Sequence, residues 1–75
     1  MIIQLTPEQR DTLLFYETGF EQLEPRYEVV DWADQQGWRW RRDWHCRRWP
    51  SWPSRQYALE FATPEMATMF ALRWL

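Results

Sequence analysis

Two periods of hydrophobicity run along this chain, and they divide it into helices and strands. Met1 to Leu5 is short and apolar at Ile3 and Leu5, the pattern of a strand. Thr6-Pro7-Glu8-Gln9 follows, with a threonine suited to the N-cap, a proline suited to the first helical position and a glutamine that completes a capping box. Leu13, Tyr16 and Phe20 lie at helical spacing, and Leu14 and Phe15 widen the stripe, so a helix is predicted from Pro7 to Thr18. Gly19 suits the position just past its end, with Phe20 folded back onto Phe15.

Glu21 to Arg26 reads as a polar connector containing Pro25, and Tyr27 to Val30 as a short strand. Residues 31–37 have two readings. In the favoured one, Asp31 caps a short helix that Gly37 ends, because both ends then carry a cap residue. In the other, Asp34 to Gly37 is the loop of a hairpin joining Tyr27–Ala33 to the segment beginning at Trp38.

From Trp38 the period becomes two. Trp38, Trp40, Trp44 and Cys46 share one face, interrupted by Arg42, while Arg39, Arg41, Asp43, His45 and Arg47 share the other. This predicts a strand up to Cys46 with three tryptophans in the core and a wet basic face. Trp49-Pro50-Ser51-Trp52-Pro53-Ser54 breaks it, since proline cannot donate to a ladder. Alternation resumes from Arg55 to Phe61, with Tyr57, Leu59 and Phe61 inward and Ala58 and Glu60 outward, and the two strands are expected to pair. A second Thr-Pro-Glu at Thr63 to Glu65 then starts a helix running to the last residue, with Met66, Met69, Phe70 and Trp74 as its apolar stripe. The order β-α-(β/α)-β-β-α predicts a small two-layer α+β domain spanning 1–75, with two helices on a mainly antiparallel sheet of three or four strands.

Tyr57-Ala-Leu-Glu-Phe-Ala-Thr-Pro-Glu-Met-Ala-Thr-Met-Phe-Ala-Leu-Arg-Trp74 looks like the closing strand–loop–helix of some short phage-encoded or environmental proteins. The likeness covers about a quarter of the chain and implies no activity.

Composition sharpens this picture in two ways. A chain of 75 residues has room for one domain and is marginal by size, but seven Trp, four Phe and three Tyr supply large buried areas from few side chains. That many rings on so short a chain also predicts an exposed patch and a partner. The charge is uneven. Residues 1–37 carry eight acids against Arg10 and Arg26, whereas residues 38–55 carry six arginines against Asp43. Such halves suit internal pairing or head-to-tail association between copies. Arginine is the only basic residue besides His45, and lysine and asparagine are absent, which a GC-rich coding bias explains without a function. One cysteine forms no intrachain disulfide, and neither a leader nor a membrane span is expected, so a cytoplasmic location is the default.

The candidate chemistry is sparse. His45 and Cys46 are neighbours in a strand, so they point to opposite faces and are not expected to share a metal ion or form a nucleophile–base pair. Cys46 reads as a small buried hydrophobe. Asp43 and His45 share a face, as a solvated pair. Two glycines, Gly19 and Gly37, make no phosphate-binding loop. No catalytic residue, metal, cofactor or small-molecule substrate is predicted, and an amphipathic membrane helix is excluded through the prolines of 50–53. Trp32, Trp49 and Trp52 have no evident inward place and are the candidate partner-binding rings. Arg39, Arg41, Arg47, Arg48 and Arg55 form a candidate basic face. The expectation is a non-enzymatic domain that associates with itself as a homodimer or with another protein. The alternative is a single-stranded nucleic-acid binder, using the Trp/Arg-rich hairpin of residues 38–55 to contact phosphates and stack bases.

Overall fold

The computed structural model describes residues 1–17, 22–50 and 56–75, and the side chains of all of these except 15–17 and 22. The order is β1 (Ile2–Gln4), α1 (Pro7–Leu13), β2 (Leu14–Glu17), β3 (Gln22–Pro25), α2 (Tyr27–Gln35), β4 (Trp44–Arg48), β5 (Tyr57–Phe61) and α3 (Pro64–Trp74). A three-stranded antiparallel sheet has the order β1-β5-β4, and β2 and β3 form a separate antiparallel pair. The domain is α+β as expected, and the described residues hold three helices.

The two predicted threonine caps are in place. The Gln9 N–H donates to Thr6 Oγ1 at 3.1 Å and the Thr6 N–H to Gln9 Oε1 at 3.0 Å, closing the capping box. Thr63 repeats the first half of it, accepting from the Met66 N–H at 3.3 Å. Both threonines precede a proline whose missing N–H costs nothing in a first turn.

The first helix is shorter than its hydrophobic stripe. It ends at Leu13 rather than Thr18, because Leu14 turns extended at φ −116°, ψ 152° and opens a strand. Leu14-Phe15-Tyr16 is a run that suits a pleated surface as well as a helix, and β3 gives it a partner. The supposed connector therefore holds a strand, Gln22–Pro25. Pro25 faces Leu14, one position before Arg26 donates its N–H to the Leu13 carbonyl at 2.8 Å. Ladder alternation turns the Pro25 nitrogen away from β2, where no donor is needed. Gly19 and the expected Phe15–Phe20 contact lie outside the described residues and side chains.

Tyr27 to Val30 is helical, not a strand, and α2 starts one turn before Asp31. Asp31 is thus an interior residue whose carboxylate accepts from Gln35 Nε2 at 3.0 Å, rather than an N-cap. The N-cap is Arg26, which makes no capping bond with its side chain. Its guanidinium instead donates to the carbonyls of Thr12 at 2.8 Å and Asp11 at 3.1 Å, so it satisfies the open C-terminal end of α1. Gly37 ends α2 as expected, with φ +87°.

The strand expected to begin at Trp38 begins at Trp44. Residues 41–43 form a turn in which Arg41 takes φ +72° and Trp40 makes an isolated bridge to Trp44. Asp43 organises it, its carboxylate accepting the Arg39 N–H at 2.8 Å and the Arg42 guanidinium at 3.0 Å. The first of these bonds, helped by the second, holds the Asp43 carboxyl below its ordinary pKa. A carboxylate that captures a backbone N–H four residues back competes with the ladder, and here it wins.

The core forms where α2 and α3 meet the inward face of the sheet. Trp38, Trp44, Phe61 and Phe70 are buried together with Leu5, Leu13, Leu14, Val29, Ala33, Leu59 and Ala67. Trp44 stacks on Phe61 with centroids 5.8 Å apart and planes 5° from parallel, and Phe70 lies 5.6 Å from Trp44 and 5.2 Å from Phe61. Within α3, Met69 belongs to the outside rather than to the expected stripe, because Ala67 and Phe70 set the buried face.

Candidate functional site

Leu59 and Phe61 of β5 face the core, and Glu60 between them faces out. The register Trp44↔Phe61, His45↔Glu60, Cys46↔Leu59, Arg47↔Ala58 and Arg48↔Tyr57 carries that division across to β4. Trp44 and Cys46 lie on the core face and His45 and Arg47 on the outer one, as the alternation predicted. Glu60 binds both outer residues, its Oε1 3.3 Å from His45 Nε2 and its Oε2 3.6 Å from Arg47 Nη1. The expected Asp43–His45 pair does not form, since Asp43 is committed to the turn.

The basic face is divided by the same geometry. Arg39 is exposed in the segment after α2, and Arg41 in the turn pairs with Glu24 of β3 at 2.6 Å. Arg47 is on the outer face of the sheet, its guanidinium 5.7 Å from the Trp49 ring centroid. Arg48 is on the core face at the open end of β4, 5.4 Å from the Tyr57 ring centroid. Arg55 lies outside the described residues. The four described arginines therefore do not share one strand face.

The three candidate partner-binding rings have different surroundings. Trp32 sits edge-on to Trp38 at 5.2 Å, to Trp74 at 6.2 Å and to Phe70 at 6.3 Å, so it is partly buried at the margin of the core. Trp49 is half-buried beside Arg47, and its N–H donates to the Gln56 carbonyl at 2.8 Å. Trp52 lies outside the described residues.

Sequence reasoning missed the surface of α3. Leu72 is 84% exposed, and Met69 and Leu75 are each 45% exposed. Successive steps of three residues place these side chains in a row across the outer side of the helix. The signal was available: Leu72 is a large aliphatic residue outside the stripe assigned to the core. Tyr27, at the start of α2, is also exposed, at 79%.

Among the described residues, no three His, Cys, Asp or Glu side chains come together in a way that could hold a metal ion. None of the described helices is long and apolar enough to cross a membrane. Cys46 is half-buried, and loss of solvent pushes its thiol up to about 12, away from nucleophilic reactivity at neutral pH. Comparison with known proteins found no matching family model, and neither a curated protein nor a solved structure matches the chain.

Proposed function

We propose that this chain is a non-enzymatic association domain that pairs with a second copy of itself through the outer side of α3. The observation that carries the reading is the row Met69, Leu72 and Leu75, whose apolar surface is left in water although α3 has a full core face of its own. The spacing is self-complementary. Two antiparallel α3 helices crossing at a two-fold axis beside Leu72 bring Leu72 against its copy and Met69 of each chain against Leu75 of the other, as an isologous interface requires. No charged side chain falls between these three positions except Arg73, whose guanidinium is folded back 4.2 Å from the Trp74 ring centroid.

One helix face is small beside the roughly 1,200–2,000 Å² buried in stable complexes, so the pair is weak, with dissociation in the micromolar range or above. The test is sedimentation velocity over a concentration series, comparing the wild type with Leu72→Asp. A shift to dimer with rising concentration, abolished by Leu72→Asp at unchanged helicity, supports the reading. A wild type that stays monomeric at several hundred micromolar, or a variant that dimerises equally well, overturns it.

A further inference from the structure

Among the described residues, the outer edge of β4 carries no strand beyond the isolated Trp40–Trp44 bridge, and the ladder fixes which of its backbone groups face outward. Asp43 accepts from the Ala62 N–H at 2.9 Å, and the Trp49 N–H donates to Gln56 at 2.8 Å, so these positions face β5. Alternation then makes His45 and Arg47 the inward-bonding residues and turns the backbone groups of Trp44, Cys46 and Arg48 away from β5. The Trp44 carbonyl is taken by the Arg41 N–H at 2.7 Å, which closes that end. The Cys46 N–H and C=O belong to no ladder. They border a groove of about 390 Å³ lined by Leu23 of β3, Trp40, Arg41, His45, Cys46, Arg47, Arg48 and Tyr57.

The groove has two chemically different sides. Leu23, Trp40 and Cys46 continue the core as a half-buried apolar wall, while His45 and Arg47 stand on the opposite face of β4. Among the described residues its lining holds three arginines and a histidine and no carboxylate. Glu24 and Glu60 offset part of that charge from outside the lining. We infer that this edge is a strand-addition site for a short extended peptide that alternates acidic and apolar side chains. Backbone pairing with Cys46 supplies attraction, the apolar side chains meet the Leu23–Trp40–Cys46 wall, and the acids meet His45 and Arg47.

Two other occupants fit less well. Antiparallel pairing of two β4 edges about Cys46 would set Arg47 opposite His45 of the second copy, basic against basic. A single-stranded nucleic acid needs ring faces on which to stack. Here Trp40 is packed edge-on with Trp44 at 4.8 Å, and Tyr57 lies beneath the Arg48 guanidinium.

The experiment titrates the whole chain, followed by backbone amide NMR, with acetylated and amidated Val-Glu-Val-Glu-Val, its Val-Lys analogue, and the Val-Glu peptide N-methylated at the amides that would face β4. Expected is binding of the Val-Glu peptide at low salt, slowed hydrogen exchange at the Cys46 amide, and at least tenfold weaker binding of both other peptides. Arg47→Glu is expected to weaken the Val-Glu peptide about tenfold with an unchanged melting temperature. The peptide comparison on the wild type needs no variant to fold. No binding of the Val-Glu peptide, equal binding of the N-methylated form, or displacement by a single-stranded oligonucleotide overturns the assignment, the last in favour of nucleic acid. The site uses none of the α3 row, so Leu72→Asp leaves its titration unchanged and the two proposals fail separately.

Discussion

The aromatic residues of this domain occupy two settings, and the setting decides what each ring does. In the inner cluster, Trp44, Phe61 and Phe70 pack against one another, with Trp38 and Trp32 edge-on to them and Trp74 tilted against Phe70. At the rim near β4, Trp49 and Tyr57 lie beside the guanidinium groups of Arg47 and Arg48. The inner rings exclude water and carry stability. The rim rings remain partly in water, where a cation over a ring contributes only about 0.5–1 kcal/mol. Among the described residues, α3 carries the row of exposed aliphatic side chains, and it turns both of its aromatic residues, Phe70 and Trp74, toward the core.

The comparison can be broken at its strongest point first. Phe70→Ala is expected to cost about 3–5 kcal/mol in urea denaturation, enough to leave so small a domain largely unfolded, whereas Tyr57→Ala should stay folded. Equal losses from the two substitutions would remove the distinction between cluster and rim.

Cys46 lies between the two settings and tests the boundary by pH. Its folded thiol is raised from 9.0 to about 12, so the folded chain keeps a proton that the unfolded chain loses. The associated stability is fully present below pH 9 and is lost as pH rises from 9 toward 12. Alkylation of the native thiol by iodoacetamide should show no rise near pH 9, while alkylation in urea should rise there. A native profile with its midpoint near 9 would put Cys46 in the solvated rim.

Smaller effects come from the caps and the surface pairs. Thr63→Ala is expected to cost about 1 kcal/mol, because α3 brings Phe70 to the cluster and Thr63 satisfies its first turn. Thermal melts of Thr63→Ala and Thr63→Ser separate lost capping from lost packing, since serine keeps the acceptor. Arg41→Gln removes the exposed pair with Glu24 and should change stability by no more than about 0.5 kcal/mol. A loss of several kcal/mol there would mean that the turn before β4 is a structural element of the same rank as the cluster.

Legibility differed along the chain for physical reasons. Thr6 and Thr63 were readable because a cap is local, with donor and acceptor three residues apart. The inward set Tyr57, Leu59 and Phe61, and the opposite faces of His45 and Cys46, were readable because a strand alternates whatever it pairs with. The end of α1 was not, because Leu14-Phe15-Tyr16 satisfies either period and only β3 makes the strand preferable. The start of β4 was misplaced because alternation of tryptophan and arginine from Trp38 continued through a turn. Trp38 and Trp44 are core residues as predicted, but Trp38 reaches the core from the end of α2, where its N–H donates to the Ala33 carbonyl at 3.0 Å. Among the site residues, the division of Arg39, Arg41, Arg47 and Arg48 depends on β4 register and on the Asp43 turn, and neither follows from residue spacing.

Local chemistry in the sequence was enough to determine the α+β class, the Thr6 and Thr63 caps, the β4–β5 pairing and the tryptophan-rich core, because capping, alternation and amphipathic spacing act over a few residues. The tertiary structure alone decided which rings are used up in the core and which strands, β1 and β4, lie at the edges of the sheet. Those outcomes depend on what each element is packed against, and packing joins residues as far apart as Met1 and Phe61, whose terminal amine and carbonyl lie 3.0 Å apart.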